Sequence, residues 1–254
     1  MNIVLLGSGN VATQLAKALT AKGETVVQVY SPNLSHAEML ANNVNAAAVS
    51  TFNGIQKNAD LYIIAVKDDA IESLAIALSA VKGLVVHTSG TTDINVLAQH
   101  CKRTGVFYPL QTFSKEKSVS FDEIPLCLEA KQQDDLSVLQ QLAKKLSHRV
   151  YEMDGGKRKV LHLSAVFACN FPNHLYALAA QILGENGLDF DLMRPLILET
   201  AEKITTNKPF DVQTGPAVRK DENTINEHLS MLNNLPELQK IYQSLSESIK
   251  LIHK

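Results

Sequence analysis

The sequence predicts an α/β fold, a doubly wound parallel sheet followed by an all-helical domain, and three observations carry that prediction. An apolar run at residues 3–6 ends in Gly7, Ser8 and Gly9 and passes directly into residues 11–22, whose apolar positions recur at helical spacing. Apolar runs then alternate with helix-patterned segments as far as Glu152. Beyond Asp154, Gly155 and Gly156 no β-rich run remains, and the chain reads as helices to its end.

The first element justifies itself through its glycines. Gly7, Gly9 and Ala12 form the GxGxxA version of the dinucleotide fingerprint. Gly7 permits the tight turn, Gly9 lets the backbone approach a pyrophosphate, and Ala12 allows the helix to pack closely on the strand. The anion then rests on a helix N-terminus, where unpaired amides and the helix dipole favour negative charge. Gly7, Ser8, Gly9, Asn10 and Val11 are therefore candidate cofactor-binding residues.

A second strand, residues 25–30, leads into Ser31, Pro32 and Asn33 and a helix through about residue 42. An NAD-selective site places Asp or Glu at this point to bond the ribose hydroxyls. Here stand Ser31, Asn33 and Ser35, with no acid before Glu38, so a 2'-phosphate meets no repulsion and NADP is expected over NAD. Residues 61–66 form an uninterrupted apolar strand ending at Lys67, and residues 83–87 form another ending at Thr88 and Ser89. Ligands of open α/β sheets bind beyond the carboxyl ends of the strands, which makes Val66, Lys67, His87, Thr88 and Ser89 candidates for the cofactor crevice. Turn formation accounts for Thr88 and Ser89 equally well, and Thr92 or Asp93 suits a helix cap. Strands near 105–110, 125–128 and 149–152, with a helix near 134–146, finish the domain. The expected division is residues 1–154 and 155–254.

The second domain begins with its most informative piece, a helix over residues 157–185. It is apolar nearly all round between Val160 and Leu183, the mark of a buried helix. Arg158, His162, Val166, Cys169 and Asn173 share one side, with Lys159 and Asn170 at its margin. Buried polar groups need partners, so this stripe serves either internal hydrogen bonds or a ligand. An imidazole is the side chain suited to proton transfer near neutrality, which makes His162 the leading proton donor, with Asn170 and Asn173 as orienting groups. Further helices are expected at 189–206, 221–233 and 235–253. Thr214, Gly215 and Pro216 form a turn, Asp221 with Thr224 suits a helix start, and Arg219 could grip a carboxylate through a bidentate contact.

Composition narrows the ligand. The 254 residues are 45% hydrophobic and 20% charged with a net charge of -2, and the one basic block is Lys157, Arg158 and Lys159, a poor footprint for nucleic acid. A small molecule is expected instead. Cys101, Cys127 and Cys169 are odd in number and lack metal-ligand spacing, so neither a disulfide framework nor a metal site is expected and a reducing cytoplasm fits. No apolar run reaches the roughly 18 residues of a membrane span, and Met1 leads almost directly into a core strand, which argues against an N-terminal signal.

Several motifs together resemble a known group. Residues 5–12, the string Tyr108, Pro109, Leu110, Gln111, Thr112, Phe113 and Ser114, residues 162–170, and Thr214, Gly215 and Pro216 with Arg219, Asp221 and His228 resemble the Rossmann-like proteins that carry a DUF2520 C-terminal domain. That group is similar to F420-dependent NADP oxidoreductases, pyrroline-5-carboxylate reductases and the wider 6-phosphogluconate dehydrogenase-like superfamily. The resemblance covers essentially the whole chain. It implies an N-terminal NADP-binding sheet, a 6-phosphogluconate dehydrogenase C-terminal-like helical domain that dimerises, and substrate contacts at Gln111 and Arg219. It departs from related β-hydroxyacid dehydrogenases, which carry a Lys where this chain has Val166 and Phe167, and from prephenate-type relatives, which place His where this chain has Tyr108. The proton donor of those relatives is therefore absent, and His162 or His174 must substitute. The expected activity is NADP-dependent hydride transfer to a small substrate, in a cleft between the strand ends and the polar side of the 157–185 helix. Its alternatives are transfer to the deazaflavin F420 and a redox-silent dinucleotide sensor or scaffold.

Overall fold

Each residue of strand β1 (Asn2–Leu6) after the first is fully sealed from solvent, and its side chains alternate between two cores. Ile3 and Leu5 enter a core closed by helices α1 (Asn10–Ala21), α2 (Leu34–Val44) and α5 (Gln133–Leu146). Val4 and Leu6 enter a second core under α3 (Ile71–Ala77) and α4 (Asn95–Ala98). A strand buried on both faces reads as a continuous apolar run, which is why residues 3–6 were recognisable at all. The computed structural model describes residues 1–253.

The chain forms an eight-stranded sheet in the order β3-β2-β1-β4-β5-β6-β7-β8. The remaining strands are β2 (Thr25–Tyr30), β3 (Ala47–Val49), β4 (Leu61–Ile64), β5 (Leu84–His87), β6 (Thr104–Pro109), β7 (Leu126–Ala130) and β8 (Val150–Glu152). The order reverses at β1, which pairs with β2 on one side and β4 on the other, and this creates a crevice at their carboxyl ends. The Rossmann-like expectation holds, with two differences. The short edge strand β3 has no sequence signal beyond three small residues. The β6–β7 pair is antiparallel, so the sheet is mixed rather than wholly parallel. Among the described residues no helix crosses between β6 and β7, and without a crossover the chain can only return antiparallel.

Two compact units result, the first Met1–Asn170 and the second beginning at Phe171. The expected boundary at residue 154 is displaced because helix α6 (Gly155–Ala165), capped by Asp154 through the Lys157 amide, belongs with the sheet. Leu161 packs against the cluster of Ile94, Val106, Tyr108 and Cys127, and Arg158 is fully buried. The helix expected over 157–185 is interrupted by a π turn, Val166–Asn170, before α7 (Phe171–Glu185). Pro172 explains the interruption, since it has no N–H for the Ala168 carbonyl and its ring crowds that oxygen.

The second unit contains α7, α8 (Arg194–Thr206), α9 (Glu222–Met231) and α10 (Pro236–Ile252). Asp221 caps α9 through the Thr224 amide, as its sequence position suggests. His228 on α9 meets the Tyr242 hydroxyl of α10 at 2.8 Å. The expectation that residues 160–183 are buried fails within the single chain. Val160 and Leu163 are 65% and 58% exposed, and Leu192, Leu196 and Leu198 are exposed too. An all-round apolar pattern says that a helix is covered, and not by what. Among the described residues no helix is long and apolar enough to cross a membrane.

Candidate functional site

The crevice at the strand ends has a volume of about 890 Å³ and is floored by the glycine turn. Gly7 has φ +129°, and a Cβ there would lie 2.1 Å from the Ala65 carbonyl oxygen, so only glycine lets the end of β1 lie against the end of β4. Gly9 is its opposite, with nothing within 4 Å of where a Cβ would stand. It caps α1 without any side-chain hydrogen bond, and the first turn of α1 holds no acid. Uncapped amides facing open space are the donor set that a pyrophosphate requires. The residues present therefore fit a dinucleotide.

Ser8, Asn10, Val11, Ser31, Val66, Lys67, Thr88 and Ser89 line the same crevice, as their sequence positions suggest. Ser8 donates a hydrogen bond to the buried Ser31 hydroxyl at 3.0 Å, fixing the turn to the end of β2. Asn10 is partly occupied, because its side-chain amide donates to the Phe113 carbonyl. Two candidates lie elsewhere. Asn33 spends its carbonyl capping α2, accepting from the Ser35 and His36 amides. His87 is wholly buried and does not line the crevice, because the last strand residue points into the core while Thr88 and Ser89 face the crevice.

A second cavity of about 590 Å³ adjoins the first, and the two share Tyr108, Gln111 and His162. The Tyr108 hydroxyl lies 3.0 Å from His162 Nδ1. Burial, reinforced by the neighbouring Cys127, pushes the Tyr108 phenol up to about 12, so it carries its proton at any ordinary pH. His162 also rests on Gly90, where a Cβ would fall 2.6 Å from Nδ1. Neither contact was legible beforehand. Gly90 reads as one more turn residue, and pairing Tyr108 with His162 requires knowing that α6 crosses the end of β6. Asn170, Cys169 and Gln111 line the second cavity. Asn173 and Arg219 belong to the second unit, which begins at Phe171.

Arg158 anchors this arrangement. Its guanidinium pairs with Glu129 of β7 and donates to the Thr92 carbonyl at 2.6 Å. The polar stripe read from the sequence is thus divided: Arg158 makes internal bonds, while His162 and Asn170 face cavities.

Comparison with known proteins bears on what such a site does. Residues 2–89 match the family described as NADP oxidoreductase coenzyme F420-dependent, and residues 124–249 match the domain of unknown function DUF2520. A solved Bacteroides fragilis protein described as an NADP oxidoreductase is 48% identical, with 98% of this chain and 97% of that one covered and a TM-score of 0.95. A Thermotoga maritima protein is 21% identical at a TM-score of 0.73, covering 99% of this chain and 98% of that one. The 1-pyrroline-5-carboxylate reductase of Streptococcus pyogenes shares the fold at 13% identity and a TM-score of 0.65, covering 98% of each chain. No curated protein matches in sequence.

His87 generates a test of the site's foundations. Its Nδ1 accepts from the Ser89 amide at 3.2 Å, which places its proton on Nε2. Burial first, and the Arg158 charge second, lower its pKa to about 4 against an ordinary 6.5. Between those values the unfolded chain takes up a proton that the folded chain refuses. Stability is therefore full above about pH 6.5, falls as pH drops toward 4 by up to about 3 kcal/mol, and levels off below. Urea denaturation from pH 4 to 8 should show this slope, and His87→Gln should flatten it; an unchanged slope in the variant would contradict the assignment.

Proposed function

The chain belongs to the family of NADP oxidoreductases that join an F420-dependent-type NADP oxidoreductase domain to a DUF2520 domain, and from that membership we propose that it binds NADP(H) over Gly9 and transfers hydride to a small organic substrate. The observation that carries the reading is the meeting of two cavities on Tyr108, Gln111 and His162. One cavity has the uncapped helix N-terminus that suits a dinucleotide, and the other is a chamber open to the same imidazole.

When bound, the cofactor supplies a hydride at its nicotinamide ring. The chain's own residues do the rest. The amides of α1 hold the pyrophosphate, and the turn after β2, free of acids before Glu38, favours NADP over NAD. Tyr108 has no hydrogen-bond partner but His162 among the described residues. With the phenol as donor to Nδ1, the His162 proton sits on Nε2, the nitrogen away from the phenol. His162 is the proton donor, and Gln111 and Asn170 orient the substrate through their amides. An F420 acceptor draws support only from the name of the family matched at residues 2–89.

The exposed apolar residues of α6 and of the second unit support a homodimer. Val160, Leu163, Leu192, Leu196 and Leu198 all stand more than half exposed, and exposed apolar residues on helices are what a second copy would cover.

Two measurements test these proposals. NADPH fluorescence should report binding by the purified chain and a loss of at least about tenfold in affinity for Gly9→Asp. The added carboxylate enters open space and repels the pyrophosphate, so equal binding by both proteins would sink the cofactor assignment. Sedimentation at micromolar concentration should give twice the 27.8 kDa chain mass, and a lone 27.8 kDa species would overturn the dimer.

A further inference from the structure

The connection between β6 and β7 is held down on α1. Gln14 is only 2% exposed, and its side-chain amide donates to the Ser114 carbonyl at 2.6 Å and to the Lys117 carbonyl at 2.9 Å. Asn10, one turn earlier on the same face, donates to the Phe113 carbonyl at 2.9 Å. A buried amide with both hydrogens committed to one loop fixes where that loop lies. The residue it fixes there is Lys115, which lines a pocket of about 260 Å³ with Ser8 and Lys17 and with His36 of α2. Glu116 stands in the same wall, yet among the described residues neither lysine forms an ion pair. Two ammonium groups lining one small pocket repel each other, and an anion between them removes that cost. Ser8 also lines the cofactor crevice, and its hydroxyl bonds that of Ser31 at the end of β2, the position that meets the ribose of a dinucleotide. Pro32 and Asn33, which follow, bring no cation of their own.

We propose that Lys17, His36 and Lys115 seat a phosphate monoester carried on that ribose, and that Gln14 is the positioning residue that keeps Lys115 in place. The inference rests on the NADP(H) reading of the crevice and deepens it. Selectivity for the phosphorylated dinucleotide comes from cations on α1, on α2 and in the β6–β7 connection, and not only from the missing acid after β2. All three groups stand at the surface, so a bound phosphate keeps part of its hydration and one exposed lysine contributes little alone. Their effect lies in lining one pocket together, as charge-assisted donors to one anion.

Equilibrium binding of NADPH and NADH to the purified full chain, followed by ligand fluorescence, tests this without any turnover. The unaltered chain should bind NADPH at least about tenfold more tightly than NADH. Lys17→Ala combined with Lys115→Ala, both at surface positions, should weaken NADPH at least about tenfold while NADH shifts by less than about twofold. Gln14→Leu, which keeps the bulk and loses both bonds to the loop, should lower the NADPH preference in the same direction. An unchanged preference in a Gln14→Leu chain that still binds NADH removes Gln14 from the proposal. An unchanged preference in the double lysine variant, or an equal loss of both dinucleotides, overturns the proposal. So does equal or tighter binding of NADH by the unaltered chain, which leaves the crevice as a dinucleotide site. Adenosine 2',5'-bisphosphate should also bind more tightly than AMP. If it does not, while phosphorus NMR shows inorganic phosphate held by the unaltered chain and released by the lysine substitutions, the pocket takes free phosphate and the ribose assignment is overturned. Failure of both dinucleotides to bind overturns the cofactor reading itself, and the pocket's role with it.

Discussion

A buried guanidinium holds the candidate site together. Arg158 has no exposed surface, yet it carries a full charge, and its position is tolerable only because Glu129 and the Thr92 carbonyl meet it. Removing one partner of such a pair costs about 3–5 kcal/mol, whereas the intact pair adds little net stability over apolar packing. Its value is positional. Arg158 ties α6 to β7 and to the loop after β5, and one turn later the same helix delivers His162 onto Gly90 and against Tyr108. That tether fixes where the imidazole lies.

The two cavities divide the chemistry by physical character. The crevice is built from backbone, with Gly7 allowing the strands to close and Gly9 leaving the α1 amides bare. Backbone donors recognise an anion of fixed geometry. The chamber is built from side chains, and most of its wall comes from α6 and the π turn. The π turn itself supplies Ala168, Cys169 and Asn170 to the cavity. Pro172 makes that departure from regular helix inexpensive.

The sequence was readable where one local constraint decides the structure. Gly7 and Gly9 could be assigned separate jobs because a strand-turn-helix context leaves few alternatives, and Ser31, Val66, Lys67, Thr88 and Ser89 followed from strand ends alone. It was unreadable where two distant segments must meet. Tyr108 appeared only as a departure from the His of prephenate-type relatives, though it is the partner of His162 across 54 positions. Helical periodicity placed Arg158, His162 and Asn173 on one side, and the π turn interrupts that periodicity between His162 and Asn173. His87 was assigned to the crevice because strand ends point there, while its full burial beside Arg158 makes it part of the core beneath. The antiparallel β7 escaped notice because a strand's direction depends on its connection, which leaves no mark in its own residues.

The central claim is that the crevice and the chamber share one working imidazole whose proton is set by Tyr108. Long-range ¹H–¹⁵N NMR of the His162 ring reads this directly, without a substrate. The account predicts a bare Nδ1 and a protonated Nε2 in the neutral ring, a mixture of both forms in Tyr108→Phe, and a shift of the His162 resonances when NADP⁺ is added. A proton on Nδ1, or His162 resonances that NADP⁺ leaves unmoved while its binding is evident by fluorescence, would contradict it.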